Sequence, residues 1–124
     1  EIRTFRNNNS SNWLSLYKNL PIEVYVHLMN LTQCLVGNSS SGIREGAFIG
    51  TPVVNIGSRQ NNRMKGENVI DSNNNSEDIK NKILLQTNKG KYASNSIYGD
   101  GFTANKIVKI IKEVNVPIQK TIFY

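Results

Sequence analysis

Two short apolar runs, QCLVGN (residues 33–38) and PVVNIG (residues 52–57), constrain this chain more than any other feature. Each is bounded by Gly, Asn or Pro and is too short for a helix, and a short continuous apolar run of this kind is how a buried parallel strand reads. Two parallel neighbours need a crossover between them, and SSGIREGAFIG supplies a helix-compatible one, with Gly50 placed to stop it. A strand, a tight polar turn, a helix and a second strand are therefore expected in that order.

The remaining chain continues the alternation. WLSLYKNL predicts a short strand from its alternation at Leu14 and Leu16, and Pro21 then suits the first turn of a helix. In PIEVYVHLMNLT, Ile22, Tyr25, Val26 and Met29 recur at helical spacing, with His27 beside that stripe. ENVID predicts another strand. In the polar loop SNNNSED that follows, Ser76 is placed to cap the next helix, with Glu77 and Asp78 in its first turn. Ile79, Ile83 and Leu84 give that helix a buried face. A final helix starts near Thr103 and carries Ile107, Ile110, Ile111 and Val114 at i, i+3, i+4 and i+7. Strands alternating with helices of this size imply a three-layer α/β fold with a parallel sheet.

Composition narrows the function classes. The chain has 124 residues and a formal charge of +6, which favours an anionic partner such as a phosphorylated metabolite, nucleic acid or an acidic membrane surface. Lysine and arginine are scattered, without aromatic interleaving of the kind that stacks bases, so nucleic acid is not expected. No stretch approaches the ~18 apolar residues of a membrane span. One cysteine, Cys34, rules out a disulfide framework within the chain, and one histidine, His27, lacks the company a metal site needs. No motif calls for a metal or a cofactor, and a reducing, cytoplasmic setting is the default. The hydrophobic fraction of 38% is low for a compact domain, and the chain opens EIRTFRNNNSSNW, like the end of an element begun elsewhere. A fragment is expected: residues 1–12 a remnant of a preceding element, 13–115 an incomplete domain, 116–124 a tail.

The turn GNSSSG (residues 37–42) is where chemistry is expected. Ligands of open parallel sheets bind at the carboxyl ends of the strands, where loops feed helix N-termini. The first helical N–H groups have no intrahelical acceptor, so phosphate is the expected guest. Ser39, Ser40 and Ser41 add hydroxyls, and Gly42 lets a ligand approach the backbone. Glu45, about one turn further in, can accept hydrogen bonds from vicinal ribose hydroxyls. Arg59 follows Gly57 at the end of the next strand, where its guanidinium can hold a diphosphate with two bonds; Arg63 can serve likewise, while Arg44 points elsewhere on the helix. The Lys-Ser/Thr pair of a P-loop is absent.

Three separated motifs, VGNSSSGIREGAFIGTPVVNIGSRQNNR, GENVI and YGDGFTANKIVKIIKEV, resemble in this order the C-terminal half of the UDP-N-acetylglucosamine 2-epimerases. The resemblance covers roughly Asn19 to Val114, and GNSSSGIRE with NIGSRQ looks like the hydrolysing, sialic-acid-type branch; the alternatives are the non-hydrolysing epimerase, with UDP-N-acetylmannosamine as product, and a non-catalytic nucleotide-binding module. It implies the nucleotide-binding, Rossmann-like C-terminal domain of a glycosyltransferase-B-type fold. Ser39 to Gly42 then contact UDP, Glu45 holds the uridine ribose, Arg59 lies near the diphosphate, and Tyr98 to Gly101 form a structural turn. It also implies a UDP-sugar substrate and, for the full-length enzyme, a homo-oligomer. The family chemistry removes the C2 proton and expels UDP; in the hydrolysing branch water then adds, giving N-acetylmannosamine. The proton-transfer residues belong to segments that this chain lacks, so no catalytic residue is nominated within it and the chain alone is expected to be inactive.

Overall fold

The computed structural model describes residues 1–9, 12–115, 119 and 122. Three strands, β1 (Leu35–Gly37), β2 (Val53–Ile56) and β3 (Val69–Ser72), form one sheet in the order β1-β2-β3. Both pairings are parallel, with Val36 opposite Val54 and Val54 opposite Ile70. Their carboxyl ends therefore share one edge of the sheet, and the segments leaving Gly37, Ile56 and Ser72 start side by side.

Among the described residues six helices accompany the strands: α1 (Ile2–Asn8), α2 (Ile22–Leu31), α3 (Ser40–Ile43), α4 (Glu45–Ile49), α5 (Ser76–Lys89) and α6 (Thr103–Glu113). Successive residues of a strand face opposite sides. Val53 and Val54 are both buried, Val54 completely, so the middle strand is covered on both faces. Met29 of α2, Ile43 of α3 and Ala47 of α4 complete the apolar core. Fully burying each large aliphatic chain is worth about 1.5–3 kcal/mol.

The core is small, and buried amides extend it at the amino end of the sheet. Gln86 of α5, with no exposed surface, donates through Nε2 to the carbonyls of Val53 (2.8 Å) and Asn68 (2.9 Å) and accepts from the Tyr92 hydroxyl at 2.7 Å. Asn68 Nδ2 donates in turn to the carbonyls of Thr51 (2.9 Å) and Gly42 (3.3 Å). These bonds give buried polar groups their partners, and they pin α5 and α3 to the sheet.

Several expectations need correction. Residues 14–20 form no strand. Alternation only predicts an extended backbone, and a strand exists by pairing; Tyr17, Asn19 and Leu20 instead line a cleft with Ile22 and Tyr25. The expected single helix after β1 is two short segments, broken at Arg44 (φ −87°, ψ −73°). Asn75, not Ser76, caps α5: its side-chain oxygen accepts from the Asp78 N–H at 2.8 Å. On that helix Ile79 and Ile83 are half-buried and Leu84 is exposed, because the position facing the sheet is Gln86. The apolar stripe of α6 forms at the predicted spacing but stands exposed at Ile107, Ile110 and Ile111. The expected tail, 116–124, lies outside the described residues save for two positions.

Gly50 stops α4 as its sequence position predicts, in the left-handed region at φ 78°. Its lack of a side chain has a second cause. A Cβ there would lie 2.1 Å from the Tyr92 carbonyl oxygen, because the strand-like segment after α5 crosses directly over it, with the Tyr92 N–H donating to the Gly50 carbonyl at 2.9 Å. A second bond, from the Asn95 N–H to the Ala47 carbonyl at 2.9 Å, fixes that crossing.

Candidate functional site at the carboxyl edge of the sheet

Beyond β1 the chain turns at Gly37, whose φ of 149° an L-residue rarely adopts, and enters α3 through Asn38 and Ser39. Ser39 is the N-cap: its Oγ accepts from the Ser41 N–H at 3.3 Å. Its hydroxyl also lies 2.8 Å from that of Ser41, which in turn lies 2.7 Å from the Tyr25 hydroxyl. A chain of three hydroxyls thus runs from α2 to the exposed cap. Ser39 is exposed, and Ser40 and Ser41 are half-buried.

Gly42 has a different reason to be glycine from the one expected. It is buried, and a Cβ there would sit 3.0 Å from Val53 Cγ1 and 3.1 Å from Leu35 Cδ2, so the missing side chain lets α3 lie close on the sheet. The break at Arg44 also changes the electrostatics. A four-residue helix contributes little macrodipole, so any affinity of this turn for anions rests on free N–H groups and hydroxyls at close range.

After β2 the chain turns at Gly57 (φ 73°) into the loop that carries Arg59. Arg59 and Arg63 are exposed, and neither makes an ion pair among the described residues, where the pairs are Lys65–Asp71, Lys82–Asp78 and Lys106–Asp100. The neighbouring Gln60 is buried and donates through Nε2 to the Asn38 carbonyl at 2.8 Å. That bond ties the arginine loop to the serine turn. The far end of the loop is held by the Tyr98 hydroxyl on the Met64 carbonyl (2.6 Å) and by Lys65 on Asp71 (2.7 Å).

Glu45 opens α4 on the other side of the break. It is exposed, unpaired among the described residues, and lines a 150 Å³ cleft with Arg44, Phe48, Asn95, Tyr98 and Gly99. The structure therefore brings Ser39 to Ser41 and the Arg59 loop to one edge, while Glu45 faces a separate small cleft. Two further openings flank the edge. One of 360 Å³ is lined by Gly57, Ser58, Asn61, Asp71, Ser72, Asn73 and Asn74 at the ends of β2 and β3. The other, 390 Å³, is lined by Tyr17, Asn19, Leu20, Ile22 and Tyr25 and reaches the serine turn through the Tyr25 hydroxyl.

Among the described residues no three His, Cys, Asp or Glu side chains gather as metal ligands, and no helix is long and apolar enough to cross a membrane. Cys34 is half-buried, and burial pushes its thiol pKa up, which makes it a poor nucleophile. Asp71 sits below the ordinary carboxylate value: burial alone would raise it, but hydrogen bonds from Lys65 and Asn55 outweigh that. His27 is exposed on α2.

Sequence reasoning missed Tyr25 and Gln60. Tyr25 carried a signal of the wrong kind, since its helical spacing assigns it to a buried stripe and says nothing of its hydroxyl. Gln60 carried none; a glutamine three residues beyond a turn glycine is indistinguishable from a solvated one.

Comparison with known proteins adds the family. The model of the UDP-N-acetylglucosamine 2-epimerase family matches residues 3–112. The chain is 44% identical over 63 residues to a GDP/UDP-N,N'-diacetylbacillosamine 2-epimerase (hydrolyzing) of Campylobacter jejuni, covering 51% of this chain and 16% of that protein. It is 34% identical over 99 residues to a UDP-N,N'-diacetylbacillosamine 2-epimerase (hydrolyzing) of Legionella pneumophila, covering 80% and 26%. It is 28% identical over 101 residues to a UDP-N-acetylglucosamine 2-epimerase of Neisseria meningitidis, covering 82% and 27%. The chain thus spans about a quarter or less of the length of these relatives. With the family model matched over most of its length, and an α/β domain whose parallel sheet is flanked by helices, the chain belongs to the UDP-N-acetylglucosamine 2-epimerase family.

Proposed function

We propose that this chain is the UDP-binding part of a hydrolysing 2-epimerase that converts UDP-N-acetylglucosamine to N-acetylmannosamine and UDP. The observation that carries the reading is the bond between Gln60 and Asn38, which joins the Arg59 loop to the serine turn at the carboxyl edge of a parallel sheet. In this reading Ser39, Ser40, Ser41 and the backbone at Gly42 hold the pyrophosphate, and Arg59 neutralises it. Glu45 accepts the ribose hydroxyls, which requires the exposed carboxylate to turn from its own cleft toward the nucleotide. The aromatic cleft at Tyr17 and Tyr25 is the place for the base.

The chemistry divides between this chain and the rest of its protein. A base takes the C2 proton while the C1–O bond to UDP breaks, leaving a glucal-like alkene; water then adds across it, and the sugar leaves as the 2-epimer. What these residues do is hold the leaving diphosphate, whose charge grows as that bond breaks, so donors aimed at it favour the transition state. The groups that move protons lie in the N-terminal domain of a glycosyltransferase-B-type enzyme and in the first segment of its C-terminal one, so the chain alone binds nucleotide and does not turn over.

A second reading, that the substrate is a UDP-linked N,N'-diacetylbacillosamine, is favoured by the names of the two relatives with 44% and 34% identity. Product analysis on the full-length protein decides. Free N-acetylmannosamine supports the first reading, a free diacetamido sugar the second, and UDP-N-acetylmannosamine overturns the hydrolysing assignment. UDP titrated into the chain, with chemical shifts followed at the Ser39 to Glu45 amides, tests the site itself. No movement there would refute it.

A further inference from the structure

We propose that Gln60 is a positioning residue, setting the serine turn for its ligand through the Asn38 carbonyl; the proposal rests on the nucleotide reading above. Gln60 lies in an otherwise exposed loop, between Arg59 and Asn61, yet only 2% of its surface is accessible. Its Nε2 donates to the carbonyl of Asn38, 22 positions earlier in the chain and next to the N-cap Ser39. The orientation of the amide is fixed, because its oxygen could not face that carbonyl.

The other end of the side chain argues against a merely structural role. Gln60 Oε1 is buried with no hydrogen-bond partner among the described residues. A position chosen for packing alone would avoid that penalty by carrying an apolar residue of similar length. What an apolar residue cannot do is hold one backbone carbonyl from a neighbouring loop. Asn38 has only Gly37, in its unusual conformation, on one side and the cap on the other. Without the Gln60 bond the peptide between Asn38 and Ser39 could rotate and turn the first free N–H groups of α3 away from the edge. Because Arg59 immediately precedes Gln60, the same bond tethers the backbone that carries the guanidinium to those N–H groups.

The test uses the 124-residue chain and UDP as the probe. In the unmodified chain the Gln60 side-chain amide resonances are expected to move with the Ser39 to Ser41 amides on one saturation curve. Serine amides that move while the Gln60 amide stays still would overturn the proposal. Gln60→Met, of similar length but without a donor, is expected to raise the Kd for UDP at least tenfold, with hydrogen-exchange protection at Val54 and Met29 unchanged. Unchanged affinity overturns the proposal, and so does weakened affinity accompanied by lost protection at those core amides, since that is the signature of a structural role. Failure of the unmodified chain to bind UDP at all removes the nucleotide reading, and this inference with it.

Discussion

The hydroxyl of Tyr25 on α2 lies 2.7 Å from that of Ser41 on α3, so the helix before β1 touches the cap that follows it. The contact closes a line of hydroxyls that ends at the exposed Ser39. A hydroxyl held in this way has a defined direction, which is what the proposed site asks of Ser41. Tyr25→Phe removes the contact and little volume. It is expected to weaken UDP binding by about 0.5–1.5 kcal/mol, the net worth of one neutral hydrogen bond, measured by calorimetric titration. Equal affinity for the two forms would leave the hydroxyl line without a part in binding.

In the proposed site Arg59 is the cation that meets the diphosphate. Arg59→Ala is expected to cost about 1.5–3 kcal/mol of UDP affinity, the range for a hydrogen bond to a charged group. Uridine, which lacks phosphates, should bind both forms alike. An equal loss for uridine would mean that the arginine acts on the loop and not on the phosphates.

Gly50 combines a left-handed backbone with a crossing segment of main chain. Gly50→Ala is expected to destabilise the fold by about 3 kcal/mol or more, since it adds backbone strain to a direct clash with the Tyr92 carbonyl. Gly50→Asn separates the two causes. Asparagine tolerates positive φ, so if strain alone mattered it would restore much of the stability, whereas the clash predicts that it is as damaging as alanine. Urea unfolding of the three forms gives the answer.

Asp78 sets the acid limit of α5. Its carboxylate accepts from the Lys82 ammonium (2.9 Å), the Ser72 hydroxyl (2.8 Å) and the Asn73 N–H (2.8 Å), which together lower its pKa from 3.8 to about 2. A carboxyl group with a depressed folded-state pKa stabilises the fold above its unfolded value, and that contribution fades as pH falls toward the folded one. Asp78→Asn is therefore expected to lower Tm at neutral pH, with the gap from wild type closing between about pH 4 and pH 2. Circular dichroism melts across that range check it; a gap that persists at pH 2 would assign the effect to shape and not to charge.

The order of strands and helices from Cys34 onward was legible because buried strands and helix stops are written in local composition. Gly50 and the Leu35 and Val53 runs needed nothing from elsewhere in the chain. Two kinds of feature were not. Pairing is a property of two segments, so the alternation at Leu14 and Leu16 predicted a strand that has no neighbour. Long-range polar contacts leave no local trace either: Gln86, Asn68 and Gln60 each satisfy a carbonyl at least 17 positions away, and no period or motif marks them. The glycine-serine turn forms where its composition predicts one, while the residues that hold it in place carried no such mark. The role of Gly42 shows the same limit, since only coordinates distinguish room for a ligand from room for Val53.

The interruption at Arg44 separates the serine cap from Glu45, which a single rod would carry on one axis. In the proposed site the serine cap and the carboxylate of Glu45 then meet different parts of a guest molecule, phosphate at the one and sugar at the other.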